Sequence, residues 1–366
     1  MSYQAKKPAT LPPGHDPEFS RRALLAAAGA LGLVGIAGPG RAQAKPFAGK
    51  TVTFASWGGS FQEAQKVAYC DPFAAASGAT VVQAGPVDFA KFRTMVQSGQ
   101  PVWDVVDVTI EFLYNGAKDG LFEKIDKSAV HLDRIDPLYV HDHGVGDIVW
   151  SYNIAYSTKA FSADNHPRSW ADVFDVKRFP GTRTLRDRVA PMMEIALMAD
   201  GVPPDKLYPI DADRAFKKLD TIKKNTIFWE TNSQSQQLFT DGEVTCGLIL
   251  NGRAYDAIKK GAKIALEWNQ NIQSVDYLVV PKGSKRLEIA MALIDSMTVA
   301  ENQAKVANLI AYSPTNPQAF ASIDKEVAPW LSTNPDNAKQ GFIINAEYWR
   351  DNLQKLQERW ESWKLS

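Results

Sequence analysis

Hydrophobic and polar positions alternate between strand and helix patterns in the chain that follows residue 44. Lys50 to Ser56 is a β-branched run, and Gly58-Gly59 separates it from a helical pattern over Phe61 to about Ala76. A strand, a helix and a second apolar strand follow over residues 79–83, 88–98 and 103–108. Strands that alternate with helices predict βαβ units and a mostly parallel sheet, which binds ligands at the carboxyl ends of its strands.

A second unit with its own alternation begins after the extended segment 147–157. Its predicted strands are 182–185, 225–230, 244–250 and 263–268, and its predicted helices are 191–199, 212–224, 233–239 and 254–260. A strand over 276–280 returns to the first unit, and a long amphipathic helix over 346–363 ends the chain. We therefore predict an α/β fold of two lobes that close by hinge motion. Lobe 1 comprises residues 45–154 and 277–312, and lobe 2 comprises residues 155–276 and 313–366.

Residues 1–44 have the features of an export signal. Ser20-Arg21-Arg22 precedes an apolar run of sixteen residues, Ala23 to Gly38, and Ala42-Gln43-Ala44 follows it. A charged lead, a mild apolar core and an A-x-A end are typical of a secretory signal, and the paired arginines resemble the twin-arginine type. We expect cleavage after Ala44 and a periplasmic location. The alternative is an N-terminal membrane anchor, although a spanning helix needs roughly 20 apolar residues.

Composition and charge exclude several classes of protein. The chain has 366 residues with 41 basic and 41 acidic side chains, and the part after Ala44 has a net charge of about −3. This balance argues against nucleic acid as a partner, because phosphate neutralisation needs a clustered excess of Lys and Arg. Cys70 and Cys246 lie in a helical and a buried-strand pattern, so two free thiols are favoured over a disulfide. His141-Asp142-His143 is the one candidate metal motif, but its Gly-rich turn favours solvated side chains; we expect no metal and no cofactor.

Several short motifs occur in a characteristic order after the export signal. They are Ser56-Trp57, Trp103-Asp104-Val105-Val106 with Thr109, Asp241-Gly242-Glu243-Val244, Asn251-Gly252-Arg253, Asp276-Tyr277 before Val279-Val280-Pro281, and Ala311-Tyr312-Ser313-Pro314-Thr315-Asn316. Over residues 48–364 this order resembles the periplasmic substrate-binding proteins of ABC importers, closest to the spermidine/putrescine-binding branch. The resemblance implies the type II periplasmic-binding-protein fold, with a ligand cleft between two α/β lobes. It also implies a monomer that captures a small solute for a membrane permease without changing it chemically.

The resemblance assigns cleft positions to particular side chains. Trp57, between Ser56 and Gly58, would form an aromatic wall, and Asp276 would bind an ammonium group. Thr109 would contribute a hydroxyl contact and Tyr312 a further aromatic ring. Trp57 also fits a core position, and Asp276 could instead brace the hinge.

Further candidates follow from position and residue type. They are Glu111, which takes the place of a family aromatic residue, and Arg186, Asn232, Ser233, Asn251, Arg253 and Trp349. Asn232 and Ser233 fall at a predicted helix N-terminus, where free N–H groups suit an anion, but these residues could equally cap the helix. Arg253 could face solvent instead of a ligand, and Trp349 could belong to the core.

One departure from the family pattern concerns charge. The family's acidic pair in the second lobe falls here on Arg188 and Pro191. An arginine facing an ammonium ion across a closed cleft would be strongly repulsive, whereas its planar donors fit a carboxylate bidentately. We therefore predict a ligand with a carboxylate near Arg188 or Arg186 and an amine near Asp276 or Glu111. An ω-amino acid of the γ-aminobutyrate type or an opine fits this description.

Alternatives to this ligand and function remain open at the level of the sequence. A shift of the alignment by two residues would put Asp187 in the cleft and favour a true polyamine, and Arg188 could pair with Asp187 or Glu194 at the surface. An exported hydrolase is the alternative from another class, although no G-x-S-x-G, H-E-x-x-H or P-loop motif is present. A receptor subunit that presents its ligand to a sensor would have the same sequence features as a transport protein.

Overall fold

Eleven strands of one mixed sheet run through residues 45–366, the part of the chain that the computed structural model describes. The predicted export signal over residues 1–44 lies outside the described residues. The strands are β1 (Thr51–Ala55), β2 (Thr80–Ala84), β3 (Val105–Thr109), β4 (Val140–His141), β5 (Gly144–Ser157), β6 (Arg183–Arg186), β7 (Thr226–Trp229), β8 (Cys246–Leu250), β9 (Ile264–Val279), β10 (Ser313–Pro314) and β11 (Gly341–Ile343). Eight of them follow the order β2-β1-β3-β9-β5-β8-β6-β7, while β4 and β10 pair with β5 and β11 pairs with β9.

The sheet is parallel on its flanks and antiparallel in its centre. β1 pairs in parallel with β2 and β3, and β6 pairs in parallel with β7 and β8. The long central strands β5 and β9 run antiparallel to each other, and each is antiparallel to one flank. The expectation of a mostly parallel sheet is therefore correct only for the flanks. The strand–helix alternation generates parallel pairs within each half, whereas β5 and β9 belong to both halves.

The two central strands carry the chain from one half of the molecule to the other. β1, β2 and β3 lie on one side of the β9–β5 pair, and β6, β7 and β8 lie on the other. β5 is 14 residues long and buried from Gly144 to Tyr156, and β9 is 16 residues long. This arrangement confirms the predicted class, a two-lobed α/β fold. The predicted lobe boundaries at 154/155 and 276/277 fall inside β5 and β9 and stay a prediction.

The helices cover both faces of the sheet. They are α1 (Gly59–Gln65), α2 (Asp71–Ser77), α3 (Phe89–Gln97), α4 (Ile110–Lys118), α5 (Trp170–Phe174), α6 (Val189–Ala199), α7 (Ala212–Asp220), α8 (Asn232–Asp241), α9 (Asn251–Lys259), α10 (Leu287–Met297), α11 (Ala300–Ile310), α12 (Pro335–Ala338) and α13 (Ala346–Leu365). A π-helical turn joins α1 to α2, and Gly78 ends α2 at φ +76°, as its position in the sequence predicts. α7 ends at Asp220, four residues before its predicted end. Within residues 45–366 no helix has the length and apolar character needed to span a bilayer.

Both cysteines are buried in the core and are not paired with each other. Cys70 and Cys246 are buried and form no disulfide. Burial raises the pKa of the Cys70 thiol to about 12 and that of Cys246 to about 11. Within residues 45–366 no cluster of His, Cys, Asp and Glu has the arrangement of a metal site.

Candidate ligand-binding cleft

Two adjoining cavities of about 290 and 410 Å³ lie where the two halves of the molecule meet. Their shared lining residues are Phe89, Arg186, Asp187 and Arg188. The first cavity is lined in addition by Thr109, Glu111, Phe112, Tyr152, Ala190, Leu353 and Gln357, and the second by Trp57, Pro86, Val87, Asp88, Glu230, Thr231 and Asn232. We call the two cavities together the cleft.

The cleft lies at the carboxyl ends of parallel strands from both halves. Thr109 is the last residue of β3, Glu111 is in the first turn of α4, and Arg186 is the last residue of β6. Trp57 follows β1 by two residues. Ligands of open α/β sheets bind at these strand ends, because the loops and helix N-termini there are free to carry polar groups.

The two arginines of the cleft have few partners in the protein. The Arg186 guanidinium donates to the Tyr152 hydroxyl and lies 5.4 Å from the ring of Trp229, and its buried Nε has no hydrogen-bond partner. Arg188 lies over the ring of Phe89 at 5.3 Å. Among the described residues neither guanidinium comes within ion-pair distance of a carboxylate. Burial and the neighbouring Arg188 lower the pKa of Arg186 to about 9, and burial lowers the pKa of Arg188.

Two carboxylates approach the cleft from the β3 side. Glu111 lines the first cavity, and within residues 45–366 its carboxylate has no ion-pair partner. Asp276 lies directly opposite Thr109 in the β3–β9 register, and only 4 % of the residue is exposed. One Asp276 oxygen accepts from the indole of Trp150 at 2.8 Å. Burial is the main cause that raises the pKa of Asp276 to about 8; the Trp150 bond lowers this pKa, and the nearby carboxylates of Asp147 and Glu111 raise it.

Aromatic rings form the remaining walls. Phe89 stacks on Phe112 with ring centroids 3.8 Å apart, and Trp57 contacts the edge of Phe89 at 5.8 Å. Tyr152 meets Trp150 edge-on at 4.7 Å. These faces suit methylene groups and, beside them, a cationic head.

A buried polar network supports Trp57 from behind. The Trp57 indole donates to Asp107 at 3.3 Å, and Gln65 Nε2 donates to both Asp107 and Asp147 at 2.7 Å. Ser56 contacts Gln65 at 2.5 Å and lines neither cavity. Burial raises the pKa of Asp107 above its usual range and that of Asp147 to about 6. Ser56 therefore contacts the network that supports Trp57 and does not line the cavities.

Three of the candidate residues join the halves outside the cavities. Arg253 Nη2 donates to the carbonyl of Gly58 at 2.9 Å, and its Nη1 donates to Ser60 at 3.0 Å. A Cβ added at Gly59 would lie 2.4 Å from Ser233 Oγ and 2.8 Å from Arg253 Nη1, so both side chains pack against this loop. Gly58, Ser233 and Arg253 thus form an inter-half contact and line neither cavity, and a ligand contact for them stays a prediction.

Three further candidates lie in the core. Asn251 accepts from the Ser151 N–H and donates to two backbone carbonyls. Tyr312 is buried against the edge of Phe61 at 5.1 Å, and the indole of Trp349 donates to Glu194 at 2.6 Å. None of these three side chains lines either cavity.

The N-terminus of α8 reaches the second cavity through its N-cap, Thr231, and its first residue, Asn232. Asn232 is the first residue of α8 and lines this cavity, and its side-chain oxygen is buried without a partner. The capping role that the sequence left open for Asn232 and Ser233 belongs to Thr231, whose side chain accepts from the Gln234 N–H.

The Asp187 carboxylate is bonded to α13 and, among the described residues, forms no ion pair with either arginine. One oxygen accepts from the Trp360 indole at 2.8 Å, and the other accepts from Lys364 Nζ at 2.5 Å. The alternative in which Asp187 binds an ammonium ion in the cleft would require these two bonds to break.

Sequence reasoning missed much of the aromatic and helical lining. Phe89, Phe112 and Tyr152 were not candidates, although Tyr152 and Trp150 recur at alternate positions of the extended segment and so share one face of β5. Leu353 and Gln357 lie one turn apart on α13, and nothing in that amphipathic pattern distinguishes a cleft face from an ordinary buried face.

A cleft between two α/β halves, lined with opposite charges and aromatic rings, is the site of a solute-binding protein. The family model described as bacterial extracellular solute-binding protein matches residues 68–339, and the chain belongs to this family.

Individual relatives cover most of the chain. The gamma-aminobutyric acid-binding protein of Pseudomonas aeruginosa is 35 % identical over 342 residues, which is 91 % of this chain and 95 % of the relative. The solved structure of the Atu4243–GABA receptor is 40 % identical with a TM-score of 0.78, covering 86 % of this chain and 98 % of its own. The structure of AgtB from A. tumefaciens R10 in complex with agropinic acid is 36 % identical with a TM-score of 0.82, covering 87 % of this chain and 99 % of its own.

Proposed function

We propose that the protein captures a small amino-carboxylate in the periplasm and delivers it to the permease of an ABC importer. The observation that carries this proposal is the charge of the cleft. Arg186 and Arg188 from one half and Glu111 from the other line one cavity without forming an ion pair among the described residues. A buried charge without a partner is costly, and Arg186 is buried while Arg188 and Glu111 are half-buried; a zwitterionic ligand supplies partners for both signs of charge at once.

The carboxylate of the ligand would bind at the arginines. Arg186 and Arg188 both line both cavities and keep donors free, and a guanidinium fork matches a carboxylate in geometry as well as charge. Binding there would also relieve the mutual repulsion that lowers the pKa of Arg186.

The amine would bind on the opposite wall. Glu111 supplies a carboxylate at the cavity surface, Asp276 adds a second one behind it, and Thr109 supplies a hydroxyl. The stacked rings of Phe89 and Phe112 would cover the methylene chain between the two ends.

The size of the cleft favours a small ligand. The first cavity, at about 290 Å³, is near the lower end of the roughly 300–1,000 Å³ typical of small-molecule sites. An ω-amino acid of the γ-aminobutyrate type fits there, and the second cavity gives room for an opine. The relatives named for γ-aminobutyric acid and agropinic acid support both choices.

The remaining parts of the proposal concern location and partners. We propose export by a twin-arginine signal cleaved after Ala44, a monomeric state, delivery to a permease and the lack of a nucleic-acid partner. These proposals are consistent with membership of the family and with the balanced charge. We also propose that the bound solute leaves the cleft chemically unchanged.

A ligand panel tests the proposal. Thermal unfolding of the purified protein is measured with γ-aminobutyrate, other ω-amino acids, opines, putrescine, spermidine and simple carboxylates. A ligand at about 1,000 times its dissociation constant adds roughly 4 kcal/mol, which raises the midpoint by several degrees. We expect shifts with amino-carboxylates only; shifts with the polyamines alone would contradict the proposal.

Arg188→Ala then tests the subsite for the carboxylate. Removing one partner of a buried charge pair costs about 2–5 kcal/mol, so we expect an affinity loss of at least about 30-fold in titration calorimetry. Arg178→Ala is the control, because Arg178 is an exposed arginine of the same half and lines neither cavity. Equal affinity of Arg188→Ala and Arg178→Ala would refute the assignment of Arg188.

A further inference from the structure

The last helix, α13, is attached to the second half of the molecule through three indole groups. Trp349, Trp360 and Trp363 each donate the indole N–H to a carboxylate of a different element. The acceptors are Glu194 on α6, Asp187 between β6 and α6, and Asp220 at the end of α7, at 2.6, 2.8 and 2.7 Å. Of these three acceptors only Asp187 lines the cleft.

Asp187 lies directly between the two cleft arginines in sequence. All three residues line both cavities, but within the described part of the chain the two guanidinium groups have no carboxylate partner, while the Asp187 carboxylate is bonded to Trp360 and Lys364 of α13. Its backbone N–H donates to the Trp229 carbonyl at 2.8 Å, which fixes the chain at this point. Its carboxylate accepts from Trp360 with one oxygen and from Lys364 with the other. Both oxygens are therefore held on the side of α13.

We propose that Trp360 and Lys364 are positioning residues that set the charge preference of the cleft by holding Asp187 away from Arg186 and Arg188. This inference rests on the proposed function. Asp187 is the acid that lies nearest to both arginines along the chain, and it lines both cavities. Released from α13, its carboxylate could turn toward Arg188 and compete with the carboxylate of the ligand. The same movement would add a negative charge to the cleft and favour an ammonium group in that place.

The two holding residues differ in how they can be removed. Lys364 is partly exposed, so Lys364→Met removes the ion pair with little change in packing. Trp360 is fully buried among aromatic rings, with Trp363 at 4.9 Å and Phe228 at 5.9 Å, so Trp360→Phe keeps an aromatic ring in place while removing the N–H donor.

Trp363→Phe is a matched control for these variants. It removes the same chemical group from the same aromatic cluster, but the lost hydrogen bond goes to Asp220, which lines neither cavity. Lys364→Arg is the conservative variant, because it retains a cation that can bind the Asp187 carboxylate.

The experiment compares γ-aminobutyrate with putrescine, its diamine counterpart, by titration calorimetry. Their affinity ratio is the readout, because general damage to the fold weakens both ligands alike. For Lys364→Met we expect the preference for γ-aminobutyrate to fall about tenfold, the size of coupling expected between contacting charged residues. We expect a larger fall in Trp360→Phe/Lys364→Met, a normal ratio in Trp363→Phe, and recovery in Lys364→Arg.

The possible failures are distinguishable. If the unmodified protein binds γ-aminobutyrate in preference to putrescine and the double variant keeps the same ratio, the positioning role is refuted while the proposed function stands. If the unmodified protein prefers putrescine or binds no amino-carboxylate, the proposed function is refuted and this inference with it.

Discussion

Two arginines at opposite ends of β6 are buried to almost the same degree but differ in their surroundings. Arg183 is 0 % exposed and Arg186 is 4 % exposed. The Arg183 guanidinium donates to four backbone carbonyls, those of Val173, Asp175, Phe179 and Gly181. Within residues 45–366 the Arg186 guanidinium has one acceptor, the Tyr152 hydroxyl, and its buried Nε has none. The two arginines therefore differ in unused donors beside a cavity rather than in burial, and this difference is the basis on which we propose Arg186 as a binding residue.

The largest effect on stability is expected from Arg183→Met. This substitution removes the donors of the carbonyls that follow α5, and buried acceptors without a partner are costly. We expect the free energy of unfolding to fall by about 3–5 kcal/mol. Urea denaturation measures this loss, and a fall of less than about 1 kcal/mol would contradict a structural role for Arg183.

Arg186→Met is expected to change ligand affinity strongly and the free energy of unfolding little. The substitution removes a buried charge with few partners, so the unliganded protein should keep its free energy of unfolding within about 1 kcal/mol or gain stability. Affinity for an amino-carboxylate should fall at least about 30-fold, because the carboxylate loses a buried charged partner. Denaturation and calorimetry on the same sample check both parts. If Arg186→Met lost as much stability as Arg183→Met and bound the ligand normally, the proposed difference between the two arginines would be contradicted.

A smaller effect, on pH dependence, should come from the amine side of the cleft. Asp276 has a pKa raised to about 8, so at pH 7 the unliganded protein holds a proton there. An ammonium group favours the ionised carboxylate, so binding should release up to one proton. Affinity should then rise by no more than about tenfold per pH unit from pH 6 to 8 and level off above that. Calorimetry in buffers of different ionisation enthalpy counts the protons released.

Asp276→Asn should abolish most of this proton release. Glu194→Gln is the matched control, because burial raises the pKa of Glu194 to about 7 while its side chain is bonded to Tyr208 and Trp349 and lines neither cavity. If proton release were unchanged in Asp276→Asn and absent in Glu194→Gln, the proton would come from Glu194, and the prediction for Asp276 would be contradicted.

In the unliganded protein the raised pKa of Asp276 makes stability fall with pH, whereas it makes ligand affinity rise with pH. The unfolded chain binds fewer protons than the native state between about pH 4 and 8, so this residue makes stability fall as pH rises through that window.

Local pattern was enough to predict the flanks of the fold. A β-branched run followed by two glycines and a helical period predicted β1 with α1–α2, the strand–helix alternation after residue 181 predicted β6 with α6, and parallel pairing follows from that alternation. The antiparallel centre was not predictable in the same way. A register such as Thr109 opposite Asp276 joins residues far apart in sequence, and no local pattern specifies it.

The same limit applies to the site. Arg186, Arg188, Glu111 and Thr109 were candidates through the resemblance to the family, and all four line one cavity near strand ends, where ligands of such sheets bind. The contacts of the neighbouring residues could not be predicted from the sequence, because they join distant parts of the chain. Asp187 is bonded to Lys364 across 177 residues, and Arg253 is bonded to Gly58 across 195. Residue type alone did not separate Arg253, which joins the two halves, from Arg186, which lines the cleft.

The proposed binding of the ligand's carboxylate by Arg186 and Arg188 can be tested by calorimetry with γ-aminobutyrate and its uncharged amide, 4-aminobutanamide. Both ligands are titrated into the unmodified protein and into Arg186→Met/Arg188→Ala. We expect the unmodified protein to prefer the carboxylate by at least about 30-fold and the double variant to prefer it by less than about threefold. The same preference in both proteins would contradict the claim, because the carboxylate would then be bound elsewhere.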